Sequence, residues 1–368
     1  MYLFYSNKKD KDLILFNNSE YKLNKDFVHQ SNNLIFGDNI EVLRKLIFEC
    51  NLKGKIDLVY IDPPFSTNTK FKIGKDRVST ISSSYTDILA YDDTLKGADF
   101  LEFLRERLIL IKELLSEKGS IYLHIDYKIG HYVKIIMDEV FGIENFRNDI
   151  TRIKCNPKNF KRKAYGNIKD LILFYSKTDN YIWNDIKEKY LDKDLQKLFS
   201  KIDIDGRRYT TIPLHAPGET LNGETSKEWR GLKPPKGRHW RCSPLELEEL
   251  EQNGLIEWSS KGNPRKKIYA DEKEGKKRQD IWEFKDSQKP TYPTEKNLSL
   301  LETIIENSSN EDSIIMDCFS GSGSTLEASF NLKRKFIGVD NSIEALKVIE
   351  TRLKNKKIEF NKLELIVS

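Results

Sequence analysis

Asp57-Leu58-Val59-Tyr60-Ile61-Asp62-Pro63-Pro64-Phe65 reads as a buried strand stopped by an acid and two prolines. The stretch puts a carboxylate, a stiff carbonyl-bearing turn and an aromatic ring at one strand tip. Proline fixes φ and lacks an N–H, and each residue before a proline is pushed toward extended geometry, so the turn is pre-set. Such a tip suits the grip of a planar amino group such as the exocyclic amine of a nucleobase. The lone pair of that amine is delocalised into its ring, so the nitrogen is a poor nucleophile. Two rigid acceptors, the Asp62 carboxylate and the Pro63 carbonyl, favour a more tetrahedral nitrogen, which is positioning plus preorganised electrostatics. Phe65 offers a flat face for stacking a base. The same residues also fit a plain turn with Phe65 in the core.

A second segment narrows the choice. Ser313-Ile314-Ile315-Met316-Asp317-Cys318-Phe319 reads as another buried strand, with Ser320-Gly321-Ser322-Gly323-Ser324-Thr325 and a helix pattern from Leu326 behind it. Strand, glycine loop and helix make a nucleotide-type cradle, because glycines allow close approach and a helix N-terminus attracts an anion. The loop lacks the Lys-Ser/Thr pair of a P-loop, and Leu326 stands where a dinucleotide fingerprint needs a third glycine. Lys335-Phe336-Ile337-Gly338-Val339-Asp340 is a further strand ending in an acid, placed to bind two ribose hydroxyls.

Together these residues resemble the β group of amino-methylating DNA methyltransferases, which use S-adenosylmethionine. Gly37-Asp38-Asn39 with Leu43 is similar to that family's Gly-Asp segment. Gly119–Asp126 is similar to its next sheet strand, and Tyr292-Pro293-Thr294-Glu295-Lys296-Asn297 to the segment before the cofactor loop. Trp229-Arg230-Gly231, Pro234–Trp240 and Asp280-Ile281-Trp282 resemble adenine-modifying enzymes close to the type III modification subunits. The order, catalytic loop first and cofactor loop last, matches the β group. Phe65 replaces the commoner tyrosine, and Tyr292 stands where histidine is frequent.

The resemblance implies an S-adenosylmethionine-dependent methyltransferase fold: α/β, with a doubly wound, mostly parallel sheet, permuted motif order and an inserted target-recognition region. It implies N6 methylation of an adenine, with Asp62, Pro63, Pro64 and Phe65 catalytic. Asp317, Phe319, Gly321 and Gly323 would hold the cofactor, with Asp340 on the ribose and Asp38 on the cofactor's adenine amine. Ser324, Thr325 and Lys296 would hold its carboxylate. The implied partner is double-stranded DNA, whose target base must leave the stack to reach Asp62. A separate restriction subunit and a homodimer stay open, and no metal is implied. Three rivals remain. Asp-Pro-Pro-Phe occurs in enzymes that methylate guanine in ribosomal RNA, but those place the cofactor loop first. N4-cytosine enzymes usually carry serine in place of Asp62. A DNA-binding protein with a dead methyltransferase fold would not need the intact set of Asp62, Phe65, Gly321 and Gly323.

Bulk properties agree. The chain has 368 residues, beyond the roughly 250–300 at which single cores split. Net charge is only +5, from 62 basic and 57 acidic residues, so basic character is local. Lys154, Lys158, Lys161, Arg162, Lys163 and Lys169 crowd around Phe160 and Tyr165, a composition that fits phosphate tracking or a solvated surface. Arg265–Arg278 is a second, mixed cluster. Arg238 and Trp240 are candidate DNA contacts in the middle region. The four cysteines are scattered with no Cys-x-x-Cys, which speaks against zinc and for a reducing, cytoplasmic setting. No apolar stretch approaches the roughly 20 residues that span a bilayer.

The expected organisation is an N-terminal arm at 1–33, the catalytic half at 34–178, a target-recognition insert at 179–288 and the cofactor-binding half at 289–368. Leu101–Leu115 predicts an amphipathic helix with charges pairing along one face. Asp170–Ser176 predicts a strand, and helices are predicted near Ser243–Asn253 and over Glu344–Asn355.

Overall fold

Apolar runs rich in Ile, Val, Leu and Tyr form one central sheet, which has ten strands among the described residues. The computed structural model describes residues 2–16, 20–64, 69–74, 77–79, 88–93, 97–156, 163, 165–287, 290, 292 and 295–368. The central strands are β1 (Tyr21–Leu23), β2 (Asn33–Phe36), β3 (Ile56–Ile61), β4 (Leu115–Ile125), β5 (Phe146–Ile153), β6 (Lys169–Ser176), β7 (Ile281–Glu283), β8 (Ile314–Asp317), β9 (Lys335–Asp340) and β10 (Asn361–Val367). Their spatial order is β1-β10-β2-β9-β8-β3-β4-β6-β5-β7. From β10 through β4 every neighbour pair is parallel, while β4, β6 and β5 pair antiparallel.

Both faces of this sheet are covered, as parallel sheets require. Val59 and Ile61 face a core shared with helices α1 (Asn39–Phe48), α2 (Gly97–Leu114) and α3 (Gly130–Phe141). Leu58 and Tyr60 alternate to the other face, against α4 (Leu298–Ser308) and Ala328 of α5 (Ser324–Asn331). Helix α6 (Ile343–Asn355) closes the sheet over Leu34 and Phe336. Each fully buried aliphatic side chain contributes about 1.5–3 kcal/mol by leaving water. The predicted strand at 170–176 and helix at 344–355 are β6 and α6.

The charged face of α2 pairs as expected but does not face solvent. Glu102, Arg105, Glu106 and Arg107 are all buried. The N-terminal arm covers the first three: Tyr5 donates to Glu102 Oε2 at 2.6 Å, Arg105 donates to the Lys9 carbonyl at 3.1 Å, and Lys9 forms an ion pair with Glu106, while Lys8 donates to Glu139 at 2.6 Å. The arm is therefore structured. It carries a short helix, Lys11–Leu15, and β1, which pairs with β10 at the sheet edge.

The chain divides into two units, Met1–Asp185 with Gln279–Ser368, and Ile186–Arg278. Composition placed the insert at 179–288. The difference arises because Ile281–Glu283 is a three-residue strand that pairs with Thr151–Ile153 in the central sheet. The second unit holds a four-stranded antiparallel sheet, the hairpin His215–Pro217 with Arg238–Trp240, and the helix Pro244–Gln252. Ser243 and Glu246 cap that helix reciprocally, which is why it starts there. Among the described residues, no helix is long and apolar enough to cross a membrane.

Candidate active site at the carboxyl ends of the parallel strands

Five neighbouring parallel strands each end in or next to an acid. The register pairs Phe36 with Asp340, Asp317 with Gly338, Met316 with Val59 and Ile61 with Leu123. Asp38, Asp340, Asp317, Asp62 and Asp126 therefore gather at one edge of the sheet, where open α/β folds bind ligands.

The glycine loop is built from the end of β8. Gly321 and Gly323 take φ of +50° and +76°, the left-handed region that favours glycine. The Ser320 hydroxyl donates to the Asp317 carbonyl at 2.8 Å, and Gly323 N–H to the Ser320 carbonyl at 2.7 Å. Asp340 ties the loop down: Gly321 N–H donates to its Oδ2 at 2.8 Å and Ser342 N–H to its Oδ1 at 2.9 Å. Burial pushes the Asp340 carboxyl up, and these two N–H bonds oppose the rise. Tyr292 is buried beside Gly321.

Asp317 lies fully buried beneath this loop. Its Oδ1 accepts from Phe319 N–H at 3.0 Å, and the Thr325 hydroxyl also bonds to it. Burial pushes its carboxyl up to about 7, reinforced by Asp62 and Asp340. Thr325 is thus engaged inside the protein, as is Ser324, whose hydroxyl is 2.9 Å from that of Ser322. Neither is turned outward as a holder of a cofactor carboxylate.

Asp38 caps α1, accepting from Ile40 N–H at 3.0 Å, and takes a bond from Arg107 Nη2 at 3.1 Å. Arg107 is buried under the Phe103 ring, and burial lowers its pKa against the pull of Asp38. Phe103 in turn lies 6.0 Å from Phe319. Asn39 bridges Arg107 and the Cys318 carbonyl at 2.5 and 2.8 Å. Neither Asn39 nor Arg107 stood out as a site residue in the sequence: both meet the loop only through the fold.

Asp62 continues β3 into Pro63, which is buried, and Pro64, which is half-buried. Its Oδ2 forms an ion pair with Lys296, both side chains being mostly buried at 14% and 10% exposure. Its Oδ1 is buried and has no hydrogen-bond partner among the described residues. The resemblance implied a cofactor carboxylate for Lys296, and in the structure its ammonium meets Asp62.

Behind Asp62 a polar row crosses the sheet. Tyr60 OH lies 2.9 Å from His124 Nδ1, and His124 Nε2 lies 3.3 Å from Asp170 Oδ2. Burial would raise the Asp170 carboxyl, but His124 and Lys154 hold it well below the usual carboxylate range. An ionised Asp170 only accepts, so Nε2 carries the imidazole proton and Nδ1 accepts from Tyr60. Burial also lowers the His124 pKa, which keeps the ring neutral.

Among the expected DNA contacts, Arg238 is exposed at the mouth of the hairpin turn, its Nη1 3.0 Å from His215 Nδ1. Lys163 is exposed. Trp240 requires a correction. It is 1% exposed in the core of the second unit, with Nε1 donating to the Lys227 carbonyl at 3.1 Å, so it offers no stacking face. Phe65, Lys158, Lys161 and Arg162 lie outside the described residues.

This edge thus combines a glycine cradle, a buried strand-end acid and a carboxylate with one open oxygen. Such a set can accept hydrogen bonds from hydroxyl and amino groups. A family model described as DNA methylase matches residues 56–351. The type II methyltransferase M.EcaI of Enterobacter cloacae is 39% identical over 363 residues, covering 95% of this chain and 77% of that protein. The Mod subunit of the type III restriction-modification enzyme StyLTI of Salmonella typhimurium is 26% identical, covering 91% of this chain and 56% of the subunit. This chain therefore spans about half the length of that relative. The crystal structure of the M1.HpyAVI–SAM complex matches with a TM-score of 0.46 and 17% identity, over 87% of this chain and 99% of that one.

Proposed function

We propose that this chain, which belongs to the DNA methylase family of N6 and N4 amino-methylating enzymes, methylates the N6 amine of an adenine flipped out of duplex DNA. The observation that carries the reading is Asp62 Oδ1, a buried acceptor without a partner among the described residues, set beside the glycine loop. A buried acceptor left unmade costs roughly 1–3 kcal/mol, so a site that keeps one is built for a donor that arrives. An exocyclic amine is such a donor. Asp62 rather than serine at this position favours adenine over cytosine.

The residues fit S-adenosylmethionine as methyl donor. Gly321 and Gly323 hold the loop in the left-handed turn that ties it to Asp340, and each Asp340 oxygen keeps a lone pair for a ribose hydroxyl. Asp62, Asp317 and Asp340 lie close enough to act on one another and supply carboxyl oxygens toward a sulfonium. When bound, the cofactor supplies an electrophilic methyl group. Asp62 Oδ1 and the Pro63 carbonyl would take the two amine hydrogens and aim the nitrogen lone pair. Arg238 would contact DNA from the second unit. The likeness to Mod subunits supports a separate restriction polypeptide as a further partner.

The test is incubation of the full chain with tritiated S-adenosylmethionine and unmethylated DNA or RNA, followed by nucleoside analysis. N6-methyladenine in DNA is the expected product. Label on cytosine would replace adenine as target, and label on RNA would replace DNA. Asp62→Ala is expected to slow transfer about 10²–10³-fold while calorimetry shows cofactor binding unchanged. Parallel loss of both would remove the role given to Asp62.

A further inference from the structure

We propose that Lys296 is a positioning residue for methyl transfer, which holds Asp62 by Oδ2 so that Oδ1 is presented to the target amine. The inference rests on the reading of Asp62 as acceptor. A carboxylate at a strand tip can turn about its last side-chain bond, which exchanges its two oxygens and re-aims their lone pairs. Here one oxygen is taken by Lys296 and the other is buried and open. The two prolines fix the backbone that follows, and the ammonium fixes the side chain, so the acceptor has one orientation.

The start of the Lys296 side chain is fixed by its neighbour. Lys296 stands one residue before Asn297, which caps α4 by accepting from Leu300 N–H at 3.3 Å and donates to the Lys285 carbonyl at 2.9 Å. The capping bonds fix where the lysine stem starts. Charge gives the second reason. Asp62, Asp317 and Asp340 end neighbouring strands, and three such carboxyls repel one another. A cation at Asp62 offsets that repulsion at the one acid that keeps an open acceptor. Arg107 stands in the same relation to Asp38 on β2's side of the site. Lysine suits the task because its ammonium is a compact point charge with three donors, able to satisfy one carboxylate oxygen without covering both as a bidentate guanidinium does.

The experiment compares the full-length wild type with Lys296→Met, Lys296→Arg, Asp62→Asn and the double variant Asp62→Asn/Lys296→Met. Single-turnover methyl transfer is measured on unmethylated bacterial DNA, and calorimetry with S-adenosylhomocysteine reads the cofactor site. Lys296→Met is expected to lower the transfer rate by about 10- to 100-fold and leave the calorimetric affinity within about two-fold. Lys296→Arg is expected to recover part of the rate because it restores the cation. In the Asp62→Asn background, Lys296→Met should cost little more, because its effect runs through Asp62. Three results overturn the proposal: cofactor affinity falling as far as the rate, full additivity with Asp62→Asn, or a Lys296→Met enzyme with the wild-type rate. An Asp62→Asn enzyme as fast as the wild type removes the underlying reading of Asp62 instead, and the proposal with it. Should Lys296→Met fail to fold, the comparison of Lys296→Arg with wild type and with Asp62→Asn/Lys296→Arg decides the same question.

Discussion

Asp317 is a residue through which pH should act on this protein. Its burial beneath the glycine loop pushes its carboxyl up to about 7, with Asp62 and Asp340 adding to the rise and Thr325 and Phe319 N–H opposing it. In the unfolded chain the same group titrates near about 3.9. Between those two values the folded protein keeps a proton that the unfolded chain has lost. Stability therefore falls as pH rises through that window and levels off above it. Asp317→Asn removes the titration, and its amide oxygen can still accept from Phe319 N–H. Urea unfolding at several pH values from about 5 to 8 should show the wild type losing stability relative to Asp317→Asn as pH rises. A gap between the two that stays constant with pH would contradict the assignment. Asp62, Asp317 and Asp340 are legible in the sequence because each closes an apolar run, and a strand end is where such a fold exposes side chains. The partners of these acids are less legible. Lys296 pairs with Asp62 from 234 positions away, and no spacing rule links a residue before a helix cap to a strand tip.

At the scale of elements, the glycine loop depends on the backbone of Gly323. It is the residue before α5, with φ +76°, and an added Cβ would lie 3.0 Å from Ile349 Cγ1 on α6. Gly323→Ala carries the left-handed penalty of roughly 1–2 kcal/mol and also presses α6. The thermal midpoint should fall, and cofactor affinity should fall with it, because the loop that carries the Gly321 N–H bond to Asp340 must shift. A variant with wild-type stability and wild-type cofactor affinity would show that the loop tolerates a side chain there. The strands and helices around this loop are legible because their apolar residues repeat at the period of the element. The charged face of α2 is legible as paired charge but not as buried charge. Its cover, Tyr5 to Lys9, is distant in sequence and polar, so nothing local announces the docking. The same holds for Tyr60, His124 and Asp170. They sit on three strands and become neighbours only through sheet register, so their hydrogen-bonded row has no sequence signature.

At the scale of the whole molecule, the second unit separates two roles that the sequence left together. Arg238 and Trp240 share one Gly/Pro-rich segment, and as letters both fit DNA recognition. The hairpin parts them. Gly237 at φ +75° closes the turn, and Arg238 follows it, exposed, with its backbone N–H bonded to the Pro235 carbonyl at 2.9 Å. Trp240 lies deeper, packed with Leu214, Trp229, Leu247 and Ile256. Truncating a buried tryptophan costs roughly 3–5 kcal/mol, so Trp240→Ala should unfold or loosen the second unit and lose DNA affinity as a consequence. Arg238→Ala removes an exposed guanidinium beside His215, whose pKa is lowered by burial and by that same arginine, so the substitution relieves one of the two causes and leaves no buried partner behind. The fold should survive, with the urea midpoint unchanged. If Arg238 reads a base edge, the loss is about 1–3 kcal/mol of discrimination and the set of methylated sequences widens. If it meets a phosphate, affinity drops evenly across sequences and the salt dependence becomes shallower. Fluorescence anisotropy with labelled duplexes at several salt concentrations, together with sequencing of methylated positions in cellular DNA, distinguishes the two. An Arg238→Ala protein with unchanged affinity, salt slope and methylated sequences would remove Arg238 from the DNA-binding surface.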